Sequence, residues 1–149
     1  MAIARGAGTE IIRSAQFESI INADVTLIWG EAHHIYTVLS IIIYGNAGNG
    51  HGYCRLFGWD ALAGGSNSEN FLFKITSMPA GDTYVWNDKF SFNGAEPNQS
   101  VVSGVMGNAT EQNGIADQDS TNYQRLCYHT SASGTEHDVT ITYIDQNNA

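Results

Sequence analysis

The sequence predicts an all-β fold: an antiparallel β-sandwich, jelly-roll-like, of about eight strands with one long irregular loop near residues 95–121. Three observations lead there. Short runs rich in β-branched and aromatic residues recur along the chain, each closed by Gly, Asn, Asp, Ser or Pro. Charged residues make up only 14% of the 149 positions, while Gly, Ser, Thr and Asn are plentiful, as in a domain with many turns. No stretch carries a long, clear helical period.

Residues 1–8 (MAIARGAG) read as a flexible N-terminal arm, and 9–149 as a single β-sandwich domain. Thr9 to Ile21 is ambiguous. Ile11, Ile12, Phe17, Ile20 and Ile21 fit a helical stripe, but a strand over Glu10–Ser14 is the preferred reading. Val25–Trp29 is a strand by composition, closed by Gly30. His34–Tyr44 (HIYTVLSIIIY) is the strongest strand. Ile35, Leu39, Ile41 and Ile43 are assigned to one face, and Tyr36, Val38, Ile42 and Tyr44 to the other. Both faces are apolar, so the strand is central or covered on both sides. Gly45–Gly52 (GNAGNGHG) reads as the long tip of a hairpin. Its second strand is Tyr53–Trp59, with Tyr53, Phe57 and Trp59 on one side and Cys54 and Leu56 on the other. Ala63–Asn70 is a small polar loop, and Phe71–Ile75 a strand with Phe71, Phe73 and Ile75 inward and Lys74 outward.

Met78–Gly94 (MPAGDTYVWNDKFSFNG) alternates turn and strand. Pro79 and Gly81 suit the second and fourth positions of a type I turn begun by Met78. Thr83–Trp86 is a strand, Asn87–Asp88 a turn pair whose residues tolerate positive φ, and Lys89–Phe92 a strand with Phe90 and Phe92 on one face. Ala95–Thr121 is too long for a simple connection, and loops of that length usually serve function or contact. Tyr123–His129 and Val139–Ile144, joined by a turn at Ser131–Gly134, close the fold.

The chemistry-bearing residues are few and scattered. A net charge of −9 without any basic run argues against a surface that tracks phosphates. No apolar segment approaches the ~20 residues of a membrane helix, and MAIARGAG lacks the apolar core of a signal peptide. Cys54 and Cys127 are too few for a disulfide scaffold and read as buried thiols, a bridge being open only if their strands are neighbours. Adjacent strand residues point to opposite faces, so His33 and His34 do not easily share a metal. Cys127 and His129 do share a face and would make half a zinc site, but no second pair accompanies them.

Asp117-x-Asp119 with Ser120 and Asn122 lacks the glycine and the terminal glutamate of a calcium loop, so solvated loop acids are the simpler reading. Asp82 and Asp88 read as turn formers, and the sequons at Asn98 and Asn108 as chance matches in an Asn-rich segment. Trp29, Trp59 and Trp86 sit inside strands and read as packing, a sugar platform being the other use of such rings. The glycines of 45–52 are not followed by GK[ST], and no nucleophile elbow occurs. The expectation is a protein that is not an enzyme and has no cofactor, no metal site, no nucleic-acid partner and no membrane association.

From Tyr36 onward the successive stretches YTVLSIIIYGNAG, RLFGWDAL, NFLFKITSMPAGDTYVWNDKFSF and HDVTITYID form an outline. It resembles that of the small β-sandwich head decoration (cement) proteins of tailed phages. The opening MAIARGAGTEIIRS and the closing YIDQNNA are similar to virion proteins of marine phages, cyanophages especially. The Ala95–Thr121 segment departs from the simplest of these proteins. The resemblance implies a virion structural protein on the capsid surface, made in the host cytoplasm, with the major capsid protein as its partner and a homotrimer as its oligomer. It carries over no catalytic residue. Interface candidates on this reading are Ile35, Tyr36, Val38, Ile42, Tyr44, Trp59 and Trp86. The alternatives are a tail, neck or fibre-associated virion protein and, from another class, a carbohydrate-binding β-sandwich module.

Overall fold

The computed structural model describes residues 6–60, 65–95 and 123–148, with the side chains of 59, 60 and 65–68 left aside. Nine strands account for most of them: β1 (Thr9–Ile21), β2 (Asp24–Trp29), β3 (His34–Ala47), β4 (Asn49–Asp60), β5 (Gly65–Pro79), β6 (Thr83–Trp86), β7 (Phe90–Asn93), β8 (Arg125–Ser131) and β9 (Glu136–Asn147). Among the described residues there is no helix.

The strands form two antiparallel sheets. Sheet A has the order β1-β9-β3, with β6 and β7 following one another along the far side of β3, and sheet B has the order β2-β8-β4-β5. The pairs β1·β9, β2·β8, β3·β6/β7 and β4·β5 are nested, so the chain is a two-stranded ribbon doubled back between β4 and β5 and rolled up. That is the jelly roll that the sequence predicts. The apolar residues buried between the sheets include Val38, Ile41, Ile43, Val139 and Ile141 from sheet A and Leu27, Ile28, Cys54, Leu126 and Tyr128 from sheet B.

Strand identity is largely as expected, but face identity is not, because bulges interrupt the period of two. An extra residue in one strand exchanges the faces beyond it. In β3 the register against β9 slips between Val38 and Ser40. Tyr36 and Val38 therefore join Ile41 and Ile43 in the core, while Ile42 and Tyr44 face outward. Grouping Tyr36 and Val38 with Ile42 and Tyr44 was the wrong face, and the insertion at Leu39 is the reason. In β5, Cys54 pairs Phe73 and Arg55 pairs Phe71, so Leu72 is extra and Phe71 turns outward, not inward as expected. Leu27 is the extra residue of β2, and Ser19, at φ 55°, lies in the bulge of β1. β1 runs the full Thr9–Ile21, so the strand reading holds and extends, and the helical stripe does not form.

The connections also differ from expectation. β3 and β4 lie in different sheets, so 45–52 is not a hairpin tip but a tight arch turning at Gly48, φ 76°. The strands run on through the glycines because the arch packs too closely for side chains. A Cβ on Gly52 would overlap the Tyr128 hydroxyl, and one on Gly48 would overlap the Gly134 carbonyl. β5 begins at Gly65, so 65–70 is strand and not loop. β5 stays paired through Pro79, so the turn into β6 starts one residue later than expected. Asp82 N–H donates to Pro79 O at 3.1 Å, with Gly81 at φ 92° in the third position, as a type II turn requires.

Asn87 and Asp88 do not reverse the chain. β6 and β7 both run antiparallel to β3, opposite Ile41–Tyr44 and Ile35–Val38, and the pair spans a break between them. The end of the arm is tied down, Gly8 N–H donating to Asn147 O at 2.5 Å. Residues 96–122, and with them Asn98, Asn108, Asp117, Asp119, Ser120 and Asn122, lie outside the described residues.

Candidate functional site

Two sheet faces look outward, and their chemistry differs. On sheet B the cross-strand register sets side chains in rows. One row is Trp29–Arg125–Phe57–Glu69, the next Thr26–Cys127–Arg55–Phe71, and the third Asp24–His129–Tyr53–Lys74. Arg55 stands near the middle of the sheet and is almost buried. Its guanidinium donates to Asp24 on β2 and, at 2.5 Å, to Glu69 on β5. It also lies 5.1 Å from the Tyr53 ring centre and 4.9 Å from that of Phe57. Burial disfavours the charged guanidinium, but the two carboxylates outweigh it and raise the Arg55 pKa. Asp24 also meets His129 Nδ1 at 3.1 Å, and the His129 ring stacks on Tyr53 at 4.7 Å.

Arg125 is held differently, between the rings of Trp29 (5.5 Å) and Phe57 (4.5 Å), and no carboxylate among the described residues pairs with it. The ends of the pattern are open: Trp29 is 59% exposed and Phe71 58%.

The outer face of sheet A is built from rows such as Ile12–Ile144–Thr37–Ser91 and Gln16–Thr140–Ile42–Val85. Thr37 and Ser91 hydroxyls are 2.8 Å apart. Three apolar residues of the β3–β6 pair, Ile42 (40% exposed), Val85 (52%) and Tyr44 (42%), stand together in the open.

Two polar groups lie at the inner ends. Asp145 is buried and takes Arg13 Nε at 2.9 Å and His34 Nδ1 at 2.7 Å. It ties β1, β3 and β9, and Tyr36 stacks beside His34. The second group bridges the two sheets: the Tyr128 hydroxyl meets His137 Nδ1 at 2.8 Å, with the His137 side chain fully enclosed and its Nε2 without a partner among the described residues. Burial raises the Tyr128 pKa and lowers that of His137.

The sequence-predicted residues separate accordingly. Ile42 and Tyr44 face solvent, and Ile35 is half-buried on the same side. Tyr36 and Val38 are core residues and offer no outer surface. Trp86 is half-buried, stacks on Phe73 at 4.7 Å and donates Nε1–H to Asp88 O at 2.9 Å. The Trp59 side chain lies outside the described residues. Cys54 and Cys127 are free and buried. Their strands are neighbours, but Cys54 pairs Tyr128 and Cys127 pairs Arg55, which sets the thiols on opposite faces. Burial pushes the Cys54 thiol up to about 12. His33 is exposed, while His34 is drawn into the Asp145 group. Cys127 and His129 do share a face, but Cys127 meets Thr26 Oγ1 at 3.6 Å and His129 meets Asp24. Among the described residues no group of three potential ligands is gathered for a metal.

Sequence reasoning missed Arg55, Arg125 and the outward Phe71. A signal was present in Tyr53-x-Arg55-x-Phe57, where a period of two puts ring, guanidinium and ring on one face.

No protein-family model matches the chain, and no curated protein does. Among solved structures, a chain from Bacillus endospore appendages, which form disulfide-linked pili, aligns with 100% of this chain and 97% of its own length, at 10% identity and a TM-score of 0.43. A chain of the infectious bursal disease virus Gx strain aligns with 99% of this chain at 8% identity and a TM-score of 0.38. A chain from the T13 particle of the same virus aligns with 99%, at 8% and 0.36. This chain spans about two-fifths of the viral chains, 40% and 42%. Similarities at this level assign neither family nor function.

Proposed function

We propose that this chain is a non-enzymatic structural protein of a virion, a decoration protein that binds the assembled head of a tailed phage and stabilises it. The observation that carries the reading is the open apolar cluster of Ile42, Val85 and Tyr44 on the β3–β6 pair at one edge of sheet A. Apolar residues gathered on an outer sheet face gain by being covered, by another subunit or by the shell. The sequence outline from Tyr36 onward supports the phage head as the shell, the major capsid protein as the partner, and a homotrimer as the bound form. A protein that binds only the assembled shell adds its binding free energy to shell stability, about 2.7 kcal/mol per site at a free concentration a hundredfold above Kd. The test is differential scanning calorimetry of expanded parent-phage heads lacking the protein, with and without saturating purified protein. A raised shell melting temperature is expected, and unchanged melting at saturation overturns the reading. Immunogold labelling that marks the tail and not the head replaces it with the tail, neck or fibre alternative.

A further inference from the structure

The opposite face carries a second surface. From the arrangement around Arg125 we infer that the outer face of sheet B is a docking site for a protein segment presenting an Asp or Glu carboxylate next to an apolar side chain. The chain carries 15 Asp and Glu against 6 Lys and Arg, and what sets Arg125 apart is that aromatic rings, not carboxylates, hold it among the described residues. Arg55 is neutralised by Asp24 and Glu69. Arg125, one row away, has rings on both sides and no carboxylate partner among the described residues.

Stacking occupies the flat faces of a guanidinium and leaves its N–H edge to donate, and that fork matches a carboxylate in two parallel hydrogen bonds. The stack also orders the side chain in advance, which lowers the entropic cost of binding. Trp29 beside it and Phe71 further along offer exposed apolar surface for the flanking side chain. Trp, Tyr and Arg are the residue types that concentrate binding energy at protein interfaces. An acidic sugar fits less well, because the ring faces turned toward the guanidinium, where a sugar acid bound to Arg125 would stack, are already covered by it.

The inference concerns a different face from the one proposed to meet the shell, and its test uses purified protein alone. A displayed library of random 12-residue peptides is selected on the wild-type chain, and selected peptides are titrated against Arg125→Ala, Trp29→Ala and, as the opposite-face control, Ile42→Thr. Expected are peptides with a carboxylate beside an apolar residue, weakened at least about tenfold by Arg125→Ala and by Trp29→Ala and unchanged by Ile42→Thr. If either variant does not fold, NMR of the wild type decides: the bound peptide should shift the Trp29 indole N–H and not the Ile42 and Val85 amides. Failure to select peptides, peptides without acids, binding indifferent to Arg125→Ala, or shifts at Ile42 and Val85 each overturn the inference. So does an array of uronic and sialic acid glycans that the wild type binds, Arg125→Ala does not, and no peptide matches.

Discussion

Arg55 and Ile42 both stand on central strands, β4 of sheet B and β3 of sheet A, and both side chains leave the core for the outer face. Arg55 is nearly buried there all the same, roofed by Tyr53, Phe57 and Phe71 and paired at two carboxylates. Ile42 keeps two-fifths of its surface in water, with Thr140 and Val85 as its cross-strand neighbours. The difference separates two ways of making a sheet face. Sheet B orders its side chains through contacts made within the subunit, so part of the cost of fixing them is already met before any partner arrives. Sheet A leaves side chains that do little for the fold, and any gain from covering them is apolar burial alone.

The largest disturbance should erase the comparison by removing both faces together. Gly52 lies in the arch that joins the sheets, and Gly52→Val forces a branched side chain into the space of the Tyr128 hydroxyl. We expect a loss of about 4 kcal/mol or more, or no folded protein. Urea unfolding followed by tryptophan fluorescence measures it, and a loss below 1 kcal/mol would mean that the arch yields easily. Arg55→Ala should affect sheet B only. It removes a packed stem, two charge-assisted pairs and three ring contacts, but Asp24 and Glu69 are near enough to solvent to be rehydrated. The expected cost is about 2 kcal/mol by the same measurement, and a cost under 0.5 would show that the sheet B contacts leave no imprint on stability.

Acid sharpens the contrast by acting between the faces. His137 on β9 is enclosed against Tyr128 of β8, opposite Ile20 of β1 and Gly45 of β3, with Gly52 of β4 beside the pair. Burial lowers its pKa below the usual value of 6.5, and the neighbouring Asp138 offsets this only in part. Below that value the unfolded chain takes up a proton that the folded chain resists, so stability is full above pH 6.5 and falls as the pH drops through it. One such group gives a slope of at most about 1.4 kcal/mol per pH unit. Thermal melts at pH 7.5 and 5.5 should therefore show a shallower acid loss in His137→Asn than in the wild type, even though the variant starts less stable. An NMR titration of the His137 ring with a midpoint at or above 6.5 contradicts this.

Much of this was legible in the sequence and some was not, for one physical reason. Strands announce themselves by local composition, so β2, β3, β8 and β9 fall close to where β-branched and aromatic residues gather. Which face a residue takes depends on counting by twos from a fixed point, and a single inserted residue resets the count. Leu39 and Leu72 are ordinary strand residues that nothing marks as insertions, yet they send Tyr36 and Val38 inward and Phe71 outward. The glycines of 45–52 misled in the opposite way. Glycine signals either freedom or crowding, and here it is crowding, set by Tyr128 and Gly134, far away in sequence. The outward pattern on sheet B needs Trp29, Phe57 and Arg125 from three strands in one row, and no single segment carries that information.

The smallest expected change concerns sheet A. Ile42→Thr with Val85→Thr keeps both residues β-branched, so strand preference is preserved, and it repeats the threonine already present across the pair at Thr140. Both sites are at least two-fifths exposed, so little burial is lost on substitution. The double variant should cost about 0.5 kcal/mol in urea unfolding, a quarter of the effect of Arg55→Ala. A loss above about 1.5 kcal/mol would place these residues in the core's service and cancel the contrast between the faces. On the proposed function the same variant should bind expanded heads at least about tenfold more weakly, since the apolar surface it removes is the surface a shell would cover. Near-native stability together with lost shell binding separates a docking residue from a folding residue, and unchanged shell binding would remove Ile42 and Val85 from the contact.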